Sequence, residues 1–216
     1  MTQPLFRRRA ELAVKLVLLA LFLGAGAAFA VLVSMADSYE AVGEAQPQPI
    51  PFSHKHHVGD VGLDCRFCHT TVEKTAFPGL PATRTCLTCH SQLFAQQGIL
   101  AALRRSEAEN KPLPWKRVHF LPDFVYFDHS IHVAKGVACA ECHGRLDQMP
   151  LTWKAEKLEM GWCLACHRDP APHLHPQDQV FAMPADPLPE ADARLLAQAL
   201  RLQDTRRLTD CSTCHR

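Results

Sequence analysis

His129-Ser-Ile-His132-Val-Ala-Lys-Gly-Val-Ala-Cys139-Ala-Glu-Cys142-His143 is the stretch from which the rest of the chain can be read. Cys139 and Cys142 stand at the spacing at which two thiols add across the two vinyl groups of one haem. His143, next to the second thiol, is then carried under the iron as its proximal ligand. His129 and His132, three apart, share one face of a turn if their segment is helical, and offer two imidazoles to irons. A haem needs an attachment and a sixth ligand, and these fifteen residues hold candidates for both.

The same C-x-x-C-H pattern occurs five times, at Cys65, Cys68 and His69, at Cys86, Cys89 and His90, at Cys139, Cys142 and His143, at Cys163, Cys166 and His167, and at Cys211, Cys214 and His215. It uses all ten cysteines. Pairs at this spacing also hold zinc or form disulfides, but zinc ribbons use their knuckles in twos and five is odd. Histidine is 13 of 216 residues, so its presence after every pair has a chance of roughly one in a million by composition. The reading is five covalently bound haem c groups, the five histidines being proximal ligands.

That reading sets the fold class. A soluble part of about 180 residues would ordinarily bury one apolar core of its own. Shared among five haems it must instead wrap the macrocycles, so we expect a mainly α domain with extensive irregular loops and haems for a core. The sixteen prolines suit such wrapping, because proline breaks regular elements and stiffens connections. The net charge of +1 carries no nucleic-acid signal.

Working outward, residues 1–36 read as a cytoplasmic N-terminus and one transmembrane helix. Leu16 to Met35 are twenty uncharged residues, about the thickness of a bilayer when helical. Arg7, Arg8 and Arg9 before them place the N-terminus in the cytoplasm and the haem domain outside, in the periplasm. Ala28-Phe29-Ala30 resembles a signal-cleavage site, but the apolar run continues through Val31, Leu32 and Val33, which favours a retained anchor. Gly24 to Ala27 suit either close packing against another membrane helix or plain lipid contact. Residues 37–51 are polar and proline-bearing, a linker by composition. Residues 52–117 are a dihaem module with a connector, and 118–216 a trihaem module. Each opens on a paired histidine, His54 with His57 and His129 with His132, about ten residues before a C-x-x-C-H. Glu190 to Arg207 has the pattern of an amphipathic helix, its leucine stripe suiting core packing better than a partner site.

Five irons with two protein ligands each need ten. Beyond the proximal five, His54, His57, His119, His129 and His132 complete the set as distal ligands. His56, His173 and His175 remain as surface or propionate-contacting histidines. Met149, Met160 and Met183 are rival sixth ligands that would raise the potential of their haem. Irons so ligated have no open position for substrate, so the expectation is electron transfer and not catalysis by this chain itself.

The runs from Phe52 to Gln92 and from Val118 to Pro150, with Met160 to Pro170, resemble the pentahaem cytochrome c component of bacterial alternative complex III, over most of residues 52–172. The two modules are also similar to class III multihaem cytochromes, whose paired histidines serve different haems. The resemblance implies an electron-transfer role within a quinol:electron-acceptor oxidoreductase. Its implied partners are a large iron–sulfur subunit, polytopic quinol-binding membrane subunits and a monohaem cytochrome. Two alternatives stand beside it. An independent anchored quinol dehydrogenase of the small tetrahaem type would carry a methionine shortly after the first C-x-x-C-H, where this chain has Thr70, Thr71 and Val72. A free periplasmic shuttle would need the signal cleaved.

Overall fold

The computed structural model describes residues 8–38 and 42–215. The chain divides into two compact units, residues 1–41 and 42–216. The described part of the first unit is one helix, α1 (Arg8–Ser38). Within it the 26 residues Arg9–Ser34 are long and apolar enough to cross a membrane. Their leucines, valines and phenylalanines are exposed all round. Glu11 and Lys15 pair one turn apart at 2.7 Å near the start. Arg7, on which the topology reading partly rests, lies outside the described residues.

The second unit is helical and short-stepped. Its α-helices are α2 (Cys65–Cys68), α3 (Thr83–His90), α4 (Ala101–Glu109), α5 (His129–Ala134), α6 (Cys139–His143), α7 (Met160–Arg168), α8 (Glu190–Ala199), α9 (Thr205–Leu208) and α10 (Cys211–Cys214). A π-helical turn at Lys55–Asp60 and 3-10 turns at 98–100, 146–148 and 171–173 join them. Among the described residues there is no sheet, only four isolated β-bridges. The two cysteines of every C-x-x-C-H lie on a helical turn, in α2, α3, α6, α7 or α10, with the histidine in its last turn or just beyond it. Asp64, Asp128, Asp204 and Asp210 cap α2, α5, α9 and α10, each carboxylate accepting a hydrogen bond from a backbone N–H of the first turn. The amphipathic pattern at 190–207 breaks after Ala199, where Arg201 takes a left-handed φ of 49° and α9 then restarts the helix.

Apolar packing within the chain is modest. Ile50, Leu100 and Leu103 bury together against Leu87, Leu113 and Trp115, while Val72, Val133 and Val180 bury beside Phe181. Residues 42–50, linker-like in composition, lie on this body. Gly43 donates to the Lys154 carbonyl, Ala45 bridges Trp153, and the Gln48 amide both donates to and accepts from the Lys116 backbone at 2.9 Å. Ile50 buries because the strap is held down on both sides.

The two histidine pairs repeat in three dimensions. Phe52 meets His54 edge-on at 4.9 Å and stacks on His57 at 4.4 Å; Phe127 meets His129 edge-on at 4.8 Å and stacks on His132 at 4.5 Å. The turns beneath them differ. His129 to Gly136 spans one residue fewer than His54 to Gly62, although both glycines have φ 77° and both stand three residues before a cysteine. The first module accommodates its extra residue as a π-turn, with Val61 N–H reaching back to the His56 carbonyl. Gly59 in that turn lies so close to the 146–148 turn that a Cβ there would come within 2.5 Å of the Asp147 carbonyl oxygen.

Candidate haem-binding sites

An imidazole binds iron through one nitrogen when the other carries its proton and is held by an acceptor, which fixes both tautomer and ring direction. Most of the histidines singled out above are held in this way. Among the proximal five, Nδ1 of His69 donates to the Gly79 carbonyl at 2.7 Å, His90 to Leu93 at 3.0 Å, His167 to Leu208 at 2.9 Å and His215 to Phe124 at 3.2 Å. Among the distal candidates, Nδ1 of His57 donates to Ser53 at 2.8 Å and His132 to Asp128 at 2.7 Å, each the carbonyl four residues back. His129 donates to Ala76 at 2.7 Å, and His54 lies 2.8 Å from the Thr152 hydroxyl. Each of these rings keeps Nε2 free of hydrogen bonds among the described residues. Burial, joined by neighbouring histidines, holds His54 down to about 4 and His143 to about 3, so near neutral pH both are uncharged with a lone pair for metal.

Ring separations test whether a haem fits. Two imidazoles bound to one metal at about 2.0 Å each, with about 1.2 Å from nitrogen to ring centre, have centres about 6.4 Å apart. His57 and His90 are 6.1 Å apart, His129 and His143 6.3 Å, and His132 and His167 6.2 Å. Two of these pairs join residues more than thirty apart in the sequence, and each joins a distal candidate to a proximal one. The repeat extends the pattern. His129 faces the histidine of the motif that follows it, and by the repeat His69 is the candidate partner of its counterpart His54, near enough to add to the effect of burial on that ring. Large apolar side chains that the polypeptide leaves exposed, among them Phe67, Phe77, Phe94, Phe120 and Phe124, suit contact with porphyrin faces.

His119 stands in a different relation. Its Nε2 is 3.2 Å from Nδ1 of His143 and the ring centres are 4.3 Å apart, too close for an iron between them. His173, a spare by sequence, has Nδ1 2.7 Å from one oxygen of Glu141, whose other oxygen is 3.2 Å from Nε2 of His175. His175 is 1 % exposed. His56 is exposed beside Asp60. Met149 is also 1 % exposed, leaving no face for a macrocycle, whereas Met160 is exposed. No local signal separates His119 from His173. The acceptor that holds His173 is inside another motif, thirty-two residues away.

The thiols form a file. Burial raises Cys68, and Cys86 stands near enough to add to that; Cys65 and Cys139 are likewise near enough to act on one another. Cys166 and Cys163 act on Cys142, and Cys214 acts on Cys163. The second motif thus neighbours the first, the first the third, the third the fourth and the fourth the fifth.

Residues 125–216 match the family of cytochrome c7 and related cytochrome c. The chain is 33 % identical over 133 residues to the menaquinone reductase multihaem cytochrome c subunit of Nitratidesulfovibrio vulgaris, a match covering 61 % of this chain. It covers 57 % of the relative, so the chain spans little more than half of that protein's length. With short helices, no sheet among the described residues and C-x-x-C-H on each of the five turns, the chain carries a multihaem cytochrome c domain behind a candidate membrane helix.

Proposed function

We propose that this chain is a membrane-anchored pentahaem relay within a quinol:electron-acceptor oxidoreductase, of the alternative complex III kind. The observation that carries the reading is the facing of distal and proximal imidazoles at the separation of an intervening metal. When bound, haem with two strong axial ligands supplies outer-sphere one-electron transfer. The chain's own work is to hold ten imidazoles in fixed tautomers, to set the attachment sites in file, and to cover them with short helices. One helix cannot wall a quinol pocket or supply the groups that take protons as electrons leave. Quinol chemistry therefore falls to partner subunits, of which polytopic membrane subunits, a large iron–sulfur subunit and a monohaem cytochrome are the proposed set. Arg7 to Arg9 set the haem domain on the periplasmic side.

The name of the Nitratidesulfovibrio relative favours a second reading, the same relay run in reverse to deliver electrons for menaquinone reduction. The test is to express this chain by itself with its haems, offer it a reduced menaquinol analogue, and follow haem reduction optically. Slow reduction that the remaining membrane subunits accelerate is the expected result. Fast, inhibitor-sensitive reduction of the isolated chain would make it an independent quinol dehydrogenase. Faster haem oxidation by menaquinone than reduction by menaquinol, in the assembled complex, would select the reverse direction.

A further inference from the structure

Resting on that pentahaem reading, we infer that His173, held by Glu141, supplies the sixth ligand of the haem on Cys211 and Cys214, and that His119 instead positions His143. Protons decide the second half. If His143 gives the lone pair of Nε2 to iron, its single proton sits on Nδ1, and that N–H points at Nε2 of His119, 3.2 Å away. Nε2 of His119 must then accept, so its lone pair is committed and cannot reach an iron. A ring centre 4.3 Å from that of His143 leads to the same conclusion by distance. His119 occupies the place that a carbonyl takes behind the other four proximal histidines.

With His119 removed, four distal imidazoles serve the first four motifs and His215 lacks one. Three spare histidines remain. His175 is 1 % exposed with Nε2 on Glu141, so no macrocycle fits against it. His56 is exposed, its Nδ1 at 3.5 Å from Asp60 and the ring next in sequence to His57, which already faces His90. His173 alone repeats the ligand pattern. Its Nδ1 donates to an acceptor at 2.7 Å, its Nε2 makes no hydrogen bond among the described residues, and its ring is part-buried. The 3-10 turn at Ala171–His173, begun by Pro170, fixes its backbone. Glu141 lies inside the third motif, His173 follows His167 of the fourth by six residues, and His167 donates to the carbonyl of Leu208, three residues before Cys211. His173 is thus held beside the fourth motif, which adjoins the fifth.

The acceptor is a carboxylate here, a stronger one than a carbonyl, so it gives the imidazole more anionic character and favours ferric iron. The experiment uses the full-length protein in membranes, with haem content by denaturing mass and spin state by electron paramagnetic resonance. Replacing His173→Ala is expected to keep five haems while one fifth of the ferric iron becomes high-spin, and added imidazole should return it to low-spin. His173→Met, a second variant should the alanine fail to assemble, should stay low-spin and gain a thioether-to-iron charge-transfer band. Glu141→Gln should keep every iron low-spin and raise one midpoint potential. His119→Ala should leave all irons low-spin but raise one potential, with His119→Gln, whose amide oxygen still accepts, restoring it. A high-spin iron in His119→Ala, or a spectrum unchanged in both His173 variants, overturns the assignment. Fewer than five haems on the unmodified protein would instead overturn the pentahaem reading beneath it.

Discussion

The turn that opens the first module and the turn that opens the second hold the same rings in the same arrangement on different backbones. Phe52 with His54 and His57 repeats Phe127 with His129 and His132 to within 0.1 Å in both ring separations. Yet Lys55–Asp60 is π-helical and His129–Ala134 is α-helical. The ring cluster tolerates an inserted residue because the phenylalanine and both histidines are fixed before the surplus appears. The later glycine, left-handed in both, re-aims the chain so that the cysteine turn begins three residues on. What is preserved is the direction of two imidazoles, which is what an axial ligand must preserve.

The largest expected effect tests that equivalence directly. His57→Met and His132→Met should each keep a low-spin haem and raise one midpoint potential, by a visible part of the roughly 0.8 V that axial ligands span. The shift should be similar in the two variants, since both rings stack on a phenylalanine and donate to the carbonyl four residues back. Spectroelectrochemical titration measures it. A shift in one and none in the other would break the equivalence, and an unchanged set of midpoints would remove that histidine from the ligand set.

The next effect separates the two glycines. Both need a left-handed backbone, so an alanine at either carries strain of about 1–3 kcal/mol. Gly62 has open space where a Cβ would be added, whereas at Gly136 the Cβ would lie 2.5 Å from the His175 carbonyl oxygen. Gly136→Ala should therefore lower the thermal unfolding midpoint more than Gly62→Ala. Gly59→Ala sharpens the contrast, having the close approach to Asp147 without the left-handed φ. Equal midpoints for Gly62→Ala and Gly136→Ala would mean that the Gly136 loop gives way freely.

Much of this was legible in the sequence because haem attachment is local. Five residues fix two thiols and a ring, and each motif forms a helical turn wherever it occurs. The paired histidines were legible as a repeat for the same reason. The π-turn could be counted as one extra residue between His54 and Gly62, but its consequence depends on the approach to Asp147, which no local pattern records. The split at Arg201 was masked by a leucine stripe that continues across it. His119 and His173 could not be told apart in sequence, because their difference lies in what holds each ring: His143 in one case, Glu141 in the other. Such choices are made by long-range hydrogen bonds, and composition is silent on them. The strap at 42–50 belongs to the same class, polar by composition and held by backbone bridges to residues 153 and 154.

The smallest expected effect concerns acid. The backbone of the 146–148 turn packs against the first module, and the Asp147 carboxylate braces that turn from within, accepting from Nε and Nη2 of Arg145 at 2.7 and 2.6 Å. The guanidinium holds this carboxyl below its ordinary value, and Arg66 does the same for Asp64 at the cap of α2. A carboxyl whose folded value is depressed binds its proton more readily in the unfolded chain. Its contribution is complete above the ordinary carboxylate range of about 4 and is lost as pH falls through the folded value. The Asp147 side chain is 8 % exposed and that of Asp64 44 %, so solvent screens the Asp64 pair and leaves it little to lose. Asp147→Asn should lower the unfolding midpoint at neutral pH by less than Gly62→Ala does, and should flatten its decline between about pH 5 and 2. Asp64→Asn should leave that slope nearly as it is. Melting curves over this pH range, on protein with its haems attached, measure both. A steeper acid decline in Asp147→Asn than in the unmodified protein would show that the buried carboxylate bracing the 146–148 turn is not the group that acid releases.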